Sequence, residues 1–342
     1  MINILLTCAG SELSPLISQK IKEIKKFKNI QVIGVDQKDQ LVNKYFFDYF
    51  YKVSKNKKKY LNQIISISKK RKINLILPGS DEEALILSSN RERIEKRNLK
   101  IACSDTKHIK TFSNKIWTLK ILEKNKINVG KWDVVNNKDE LIKKVKNFFK
   151  KNATVVIKPS ISRGGRNVFI ISKRSHRISF NPNGREITLG LSQFQKGYLK
   201  KIKNLYPFII MEKLCQPTYD FDMLCSKGRL INGISRRRLV PSMPNEGHLI
   251  EKVSKIYAIG EKVAKIFNLT WLYDCDFMVD KKKNPILIEV NPRMSGSAIV
   301  SSYAGFNLFE NLISLYKKKK IKKFDIKGKK IIVPYKQLYN AK

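Results

Sequence analysis

Over the first hundred residues, short continuous apolar runs alternate with runs in which apolar residues recur every three or four positions. Ile2–Thr7, Gln31–Val35, Asn74–Pro78 and Ile101–Ser104 read as buried strands. Ile17, Ile21 and Ile24 lie on one helical face, and so do the apolar positions of Tyr60–Ser68; Gly79–Glu83 opens a further helix. Strands alternating with helices predict a parallel sheet, with ligands near the strand ends. The pattern changes after about residue 107. One helix is expected over 108–125, with Lys115 and Trp117 inside it. Strands follow at Thr154–Lys158, Asn167–Ile171, Phe208–Glu212 and Tyr219–Cys225, and Gly228–Arg238 returns antiparallel. Residues 173–206 read as loop plus helix. An amphipathic helix over 251–267 leads into strands Tyr273–Val279 and Pro285–Val290 about the turn Asp280–Asn284. A helix near 305–316 and a basic tail with one strand signal, Ile331–Val333, complete the chain.

With 342 residues, 42% of them hydrophobic, the chain can build two or three packed subdomains. No apolar run is long enough to cross a bilayer, and the start lacks the basic, long-apolar form of a signal peptide, so a cytoplasmic location is expected. The five cysteines form no Cys-x-x-Cys pair, which argues against a zinc site or a disulfide framework. A net charge of +42 is spread over many lysine runs, so it reads as a solvated surface that attracts anionic substrates. Nucleic acid is not expected as a partner, and oligomeric state is not legible.

The 273–291 hairpin carries the strongest chemistry. A turn symmetric about 282–283 sets Asp276 opposite Glu289 and Asp274 opposite Asn291. Side chains two apart on a strand share a face. An all-oxygen cluster of this kind favours Mg2+ (or Mn2+), typically bridging nucleotide phosphates. Ile286, Ile288 and Val290 are expected on the opposite, packed face. Lys158-Pro-Ser-Ile-Ser-Arg-Gly-Gly-Arg166 lies between two strands. Its glycines, Gly164 and Gly165, let backbone N–H groups approach phosphate, and Lys158, Ser160 and Ser162 add donors. Glu212 ends an apolar strand whose backbone can meet a base edge. Arg236 and Arg238 share a side on which phosphate or a carboxylate can be held. His108, His176 and His248 show no metal or triad spacing. The Thr7–Ser11 turn is not Gly-x-Gly-x-x-Gly, the Lys158 loop is not a P-loop, and no Gly-x-Ser-x-Gly is present, so no nicotinamide or flavin and no serine-hydrolase chemistry is expected.

In this order, Val156-Ile-Lys-Pro-Ser160 with Gly164-Gly165, and Ile288-Glu-Val-Asn-Pro-Arg-Met-Ser295, resemble the ATP-grasp superfamily. The nearest branch is that of carbamoyl-phosphate-synthase-like and pyrrolysine-biosynthesis-like amino-acid ligases. The resemblance spans nearly the whole chain. It implies an α/β fold: a Rossmann-like pre-ATP-grasp domain (1–107), then an ATP-grasp domain of two α+β subdomains (108–325, lid about 150–212) and a basic tail (326–342). It places Lys115 and Lys158 on the phosphates, Gly164 and Gly165 in a mobile loop above them, and Glu212 and Leu214 at adenine. It makes Asp276, Glu289 and Asn291 metal ligands and sets Arg293 near the transferred phosphate. With Lys158 and Arg293, Arg238 completes the candidate catalytic groups. Thr218 stands where the family has a ribose-binding acid, with Asp220 or Asp222 as replacements. The activity implied is ATP- and Mg2+-dependent joining of a small polar carboxylate to an amine through an acyl phosphate. The alternatives are carbamoyl-phosphate-type synthesis and a non-catalytic ATP-binding sensor or assembly subunit. The acceptor pocket is expected from Thr7–Ser11, Asp81–Glu83 and Arg236–Arg238.

Overall fold

The computed structural model describes residues 1–38, 42–95, 98–162, 166–174, 177–181 and 186–335. Three sheets follow one another along the chain. The first contains β1 (Ile2–Leu6), β2 (Ile30–Asp36), β3 (Tyr49–Lys52), β4 (Leu75–Leu77) and β5 (Lys100–Ile101). All are parallel, in the order β3-β2-β1-β4-β5. Strand order reverses beside β1, the Rossmann-like arrangement. Every residue of β1 is buried, as a parallel strand covered on both faces must be. Ile2, Ile4 and Leu6 enter one apolar cluster and Leu5 another, on alternate sides.

The ends of β1 and β4 approach so closely that a Cβ on Gly79 would lie 2.3 Å from the Thr7 carbonyl oxygen. Glu83 closes this junction. It is 6% exposed and accepts from Thr7 Oγ1 (2.7 Å), Tyr60 Oη (3.2 Å) and Ser80 Oγ (2.9 Å). Its carboxylate is therefore a structural tie.

The second sheet comprises β6 (Trp132–Val135), β7 (Thr154–Pro159), β8 (Val168–Ser172), β9 (Ser179–Phe180), β10 (Glu186–Gly190) and β11 (Phe208–Glu212). Its order is β6-β11-β7-β8-β10-β9, with β10 parallel to β8 and the other pairs antiparallel. The 173–206 segment thus adds two strands as well as the helix Leu191–Gly197. Only Leu189 and Gly190 of these strands are buried, so the apolar signal there was weak.

The third sheet is antiparallel throughout: β12 (Cys215–Ser226), β13 (Arg229–Arg238), β14 (His248–Ile250), β15 (Trp271–Val279), β16 (Pro285–Asn291) and β17 (Lys330–Ile332). Its order is β16-β15-β12-β13-β14-β17. One continuous apolar cluster joins Ile4, Leu6, Ile17 and Ile21 of the first unit to Leu224, Ile234, Leu272 and Phe309 around this sheet. The junction between the two is therefore part of the core.

The single helix expected over 108–125 is two, Thr106–Ser113 and Lys115–Lys124. Asn114 (φ −108, ψ 103) breaks the run and caps the second helix, accepting from the N–H groups of Ile116 and Trp117. Asparagine at an N-cap satisfies donors that the helix leaves unpaired. Lys115 accordingly sits in the first turn, at the helix mouth. No helix among the described residues is long and apolar enough to cross a membrane.

Burial raises the Glu83 carboxyl above its ordinary value, against the hydrogen bonds from Thr7, Ser80 and Tyr60. A raised carboxyl contributes stability that is full below its unfolded value and is lost as pH rises through the folded one. Urea unfolding should therefore show wild type losing stability relative to Glu83→Gln as pH rises above 4.5. Glu83→Ala, which strands three hydroxyls, should cost about 1–3 kcal/mol.

Candidate active site

The second and third sheets face each other across a cleft of about 550 Å³. The β15–β16 hairpin forms the floor on one side. Its register pairs Asp276 with Glu289 and Asp274 with Asn291. A bulge follows at once: Phe277 pairs with Leu287, and Ile288 is the extra residue. The turn is tighter than the symmetric one expected, with Asp280 N–H bonding the Asn284 carbonyl at 3.0 Å. The bulge absorbs the difference and turns Ile288 toward the cleft wall, while Leu287 takes the buried place.

The acids form a graded set. Asp274 is 3% exposed and receives Asn291 Nδ2 at 2.9 Å. Burial, then Asp276, Asp220 and Asp222, push its carboxyl well above the usual range. Burial likewise raises Asp276 to about 7 against the pull of Arg238. Asp220, Asp274 and Asp276 offer carboxylate oxygens within 4.8 Å of one another. Oδ1 of Asp274 and Oδ1 of Asp276 are buried with no hydrogen-bond partner among the described residues. Close carboxylate oxygens left without donors suit a hard divalent cation, so the donor set fits magnesium.

Bases oppose these acids. Lys115 Nζ lies 3.1 Å from Glu289 Oε1 and also donates to the Ser162 carbonyl. Burial opposes ionisation of Glu289, but Lys115 and Lys158 hold its carboxyl below the usual range. Burial, with Lys115 beside it, draws the Lys158 ammonium down to about 8.

Behind the cleft stands a chain of buried charges. Arg236 is 0% exposed; its Nε meets Asp222 Oδ2 at 2.9 Å, its Nη2 donates to Asp222 Oδ1 at 3.1 Å, and its Nη1 donates to Ser297 Oγ at 3.1 Å. Ser301 also donates to Asp222. Asp220 accepts from Arg238 Nε at 3.0 Å and lies 2.8 Å from His248 Nε2. Burial would raise Asp220, yet Arg238, His248 and Arg236 hold it well below the carboxylate range. Arg238 then reaches Asp276 Oδ2 at 3.2 Å.

The cleft lining includes Lys115, Lys158, Glu212, Leu214, Arg238 and Arg293, together with Asp276, Glu289 and Asn291. Ser160 lies apart: it is buried, and its backbone bonds Lys115 N and the Pro207 carbonyl. Ser162 lines the cleft instead. Gly164, Gly165 and His176 lie outside the described residues. Glu212 accepts the Lys131 N–H at 2.8 Å. Thr218 donates to Gln216 Oε1, and Asp222 is committed to Arg236.

Three expectations change. His248, to which the sequence assigns no role by spacing, is fully buried against Asp220; only the β13–β14 register, which pairs it with Arg238, reveals this. Arg236 turns from the cleft into the buried chain. Of the residues expected to line the acceptor pocket in the first unit, Asp81 does so, whereas Glu83 is consumed by its hydroxyl partners. Sequence reading also missed the Val240–Gly247 loop, which contributes Pro241, Ser242 and Pro244.

Two family models match separate parts of the chain: "PylC-like, N-terminal domain" over residues 4–102 and "ATP-grasp in the biosynthetic pathway with Ter operon" over residues 204–337. No curated protein sequence matches. Among solved structures, carboxyaminoimidazole ribonucleotide synthase from Aspergillus clavatus, complexed with ATP, is similar at TM-score 0.70 and 14% identity, covering 97% of this chain and 81% of that one. The biotin carboxylase domain of 2-oxoglutarate carboxylase from Hydrogenobacter thermophilus, holding MgADP and bicarbonate, gives 0.68 and 16%, with 94% and 71% covered. L-amino acid ligase from Bacillus licheniformis gives 0.65 and 14%, with 94% and 75% covered. At these identities the likeness is one of fold.

Removing one member of a buried ion group leaves the others uncompensated. Arg236→Met should therefore lower the stability of the folded chain by about 3–5 kcal/mol. Adding Asp222→Leu should recover part of the loss, as read from urea midpoints.

Proposed function

We propose that this chain, which matches a PylC-like N-terminal domain over residues 4–102 and an ATP-grasp model over residues 204–337, is an ATP-dependent, ADP-forming ligase that joins a small polar carboxylate to an amine. The observation that carries this reading is the meeting of charges in one cleft: Lys115, Lys158, Asp276 and Glu289 all line it, and Lys115 is paired with Glu289 at 3.1 Å. Solved relatives named as holding ATP or MgADP support the same use of the cleft.

In this reading residues 108–325 bind the nucleotide, with residues 150–212 as the lid. Glu212 and Leu214 meet the adenine, while Lys158 and Lys115 neutralise the phosphates. Asp276, Glu289 and Asn291, with Asp274 and Asp220 close by, would hold magnesium, which when bound would supply charge neutralisation at the transferring phosphoryl group. Lys115 leaves Glu289 for a phosphate oxygen as the nucleotide enters. The substrate carboxylate, oriented by Arg293 and Arg238, attacks the γ-phosphorus, and ADP departs. The amine then attacks the acyl carbon, phosphate leaves, and the amine gives up a proton. No protein nucleophile is required. Lid closure excludes water from the acyl phosphate.

Calorimetry of ATP with Mg2+ should show metal-dependent binding in wild type, and Glu289→Ala should lose at least about tenfold of it. Equal metal-dependent affinity in both proteins would remove Glu289 from the metal site. Without metal, ATP affinity should hold steady up to about pH 8 and then decline as the Lys158 ammonium loses its proton. Lys158→Arg, whose guanidinium stays charged, should abolish that decline.

A further inference from the structure

Of the three side chains read above as magnesium ligands, one differs in kind. Asp276 and Glu289 are carboxylates, whose two oxygens are equivalent, so half a turn of either presents the same atom to a cation. Asn291 is an amide, with an oxygen acceptor at one end and an N–H2 donor at the other. Only one of its two orientations serves a cation. The backbone does not choose between them. Asn291 ends β16 and precedes Pro292, which confines it to extended conformations. That fixes the face from which its side chain leaves the strand, and leaves rotation of the amide open. The choice falls to Asp274, directly opposite on β15. Asn291 Nδ2 donates to Asp274 Oδ2 at 2.9 Å, which turns Asn291 Oδ1 the other way. Asp274 Oδ2 accepts whether the carboxyl is ionised or carries a proton on its other oxygen, so the choice holds in both states. Asp274 is held in place: it is 3% exposed, on a strand with β12 on one side and β16 on the other.

We infer that Asp274 is a positioning residue: by holding the donor end of the Asn291 amide it keeps Asn291 Oδ1 available to the cation, and it acts through Asn291 rather than as a ligand. The inference rests on the magnesium assignment in the ligase reading and adds a residue outside that ligand set. Arg238 and Lys115 hold Asp276 and Glu289 in the corresponding way, at 3.2 Å and 3.1 Å. Without Asp274, the amide donor would turn to the acids that line the cleft. Asp276 is among them, and its buried Oδ1 has no hydrogen-bond partner among the described residues. A charge-assisted bond there would set N–H groups where the cation belongs. The like-charged Asp276, Asp220 and Asp222 all press on Asp274. Its negative charge is therefore unfavourable in the metal-free fold, and what it contributes is orientation.

Calorimetry of ATP with and without Mg2+, on the full chain, tests this. Asp274→Ala should lose about tenfold or more of the metal-dependent affinity, the usual cost of removing the partner of a metal ligand. Its ATP affinity without metal should stay near wild type. Asp274→Asn keeps an acceptor but allows the amide pair both orientations, so it should lose only about twofold. The metal-free melting temperature of Asp274→Asn should be at or above that of wild type. Asn291→Ala should also lose affinity, and adding Asp274→Ala to it should cost nothing further, because the two residues act as one. Additive losses would make Asp274 a ligand in its own right and overturn the inference. So would a loss in Asp274→Asn as large as that in Asn291→Ala, or an equal loss with and without metal in Asp274→Ala. Should Asp274→Ala fail to fold, Asp274→Asn decides alone. Asn291→Ala binding Mg-ATP as well as wild type removes Asn291 from the site, and the inference with it. Wild-type ATP binding that ignores Mg2+ overturns the magnesium assignment and the inference together; additive losses overturn the inference and leave that assignment standing.

Discussion

Everything in the cleft depends on a chain of charges that are almost wholly removed from water. It runs from Asp222 through Arg236 to Asp220 and His248, and from Asp220 through Arg238 to Asp276. Removing ions from water is expensive, and such a chain persists only where each member is paired and hydrogen-bonded. That condition fixes side chains on β12, β13, β14 and β15 relative to one another. It also leaves the group incomplete at one end: Asp274 and Asp276 line the cleft, and their buried Oδ1 atoms have no hydrogen-bond partner among the described residues. In the proposed reading a cation would complete the set, with Lys115 and Lys158 available to the phosphates of a nucleotide.

The first unit contributes in a different way. Its strand ends are closed by Glu83 and by the tight contact at Gly79, so the place where such sheets often hold ligands is occupied by structure. What reaches the cleft is Asp81, two positions away, at the start of the helix that Ser80 caps. The two carboxylates have opposite fates because Asp81 meets Arg293, while Glu83, two residues on and so on the other side of the helix, lies among hydroxyls.

Much of this was legible in the residue pattern. Alternation gave the parallel first sheet, and the spacing of Asp274, Asp276, Glu289 and Asn291 gave the pairing that the hairpin adopts. The same reasoning placed Ile288 on the packed face; it does pack, half-buried, against the cluster of Ile286 and Val290, but it also lines the cleft because a bulge offsets a tighter turn, and pattern does not see where one residue is extra. The split at Asn114 was written in the sequence as an N-cap inside an apolar run, and was missed because the periodicity continues across it. His248 and the cleft-lining Ser242 were invisible for another reason. His248 meets Asp220 only through two successive strand registers, which hydrophobic periodicity does not fix, and Ser242 lies in the loop between β13 and β14, where no periodic pattern applies.

The central claim is that a carboxylate is activated by phosphoryl transfer in this cleft. Its most direct test follows the oxygen atoms. With carboxylates labelled with 18O turned over alongside Mg-ATP and an amine, mass analysis of the released phosphate should find one labelled oxygen per molecule of product. Product formed while the phosphate stays unlabelled would contradict the account.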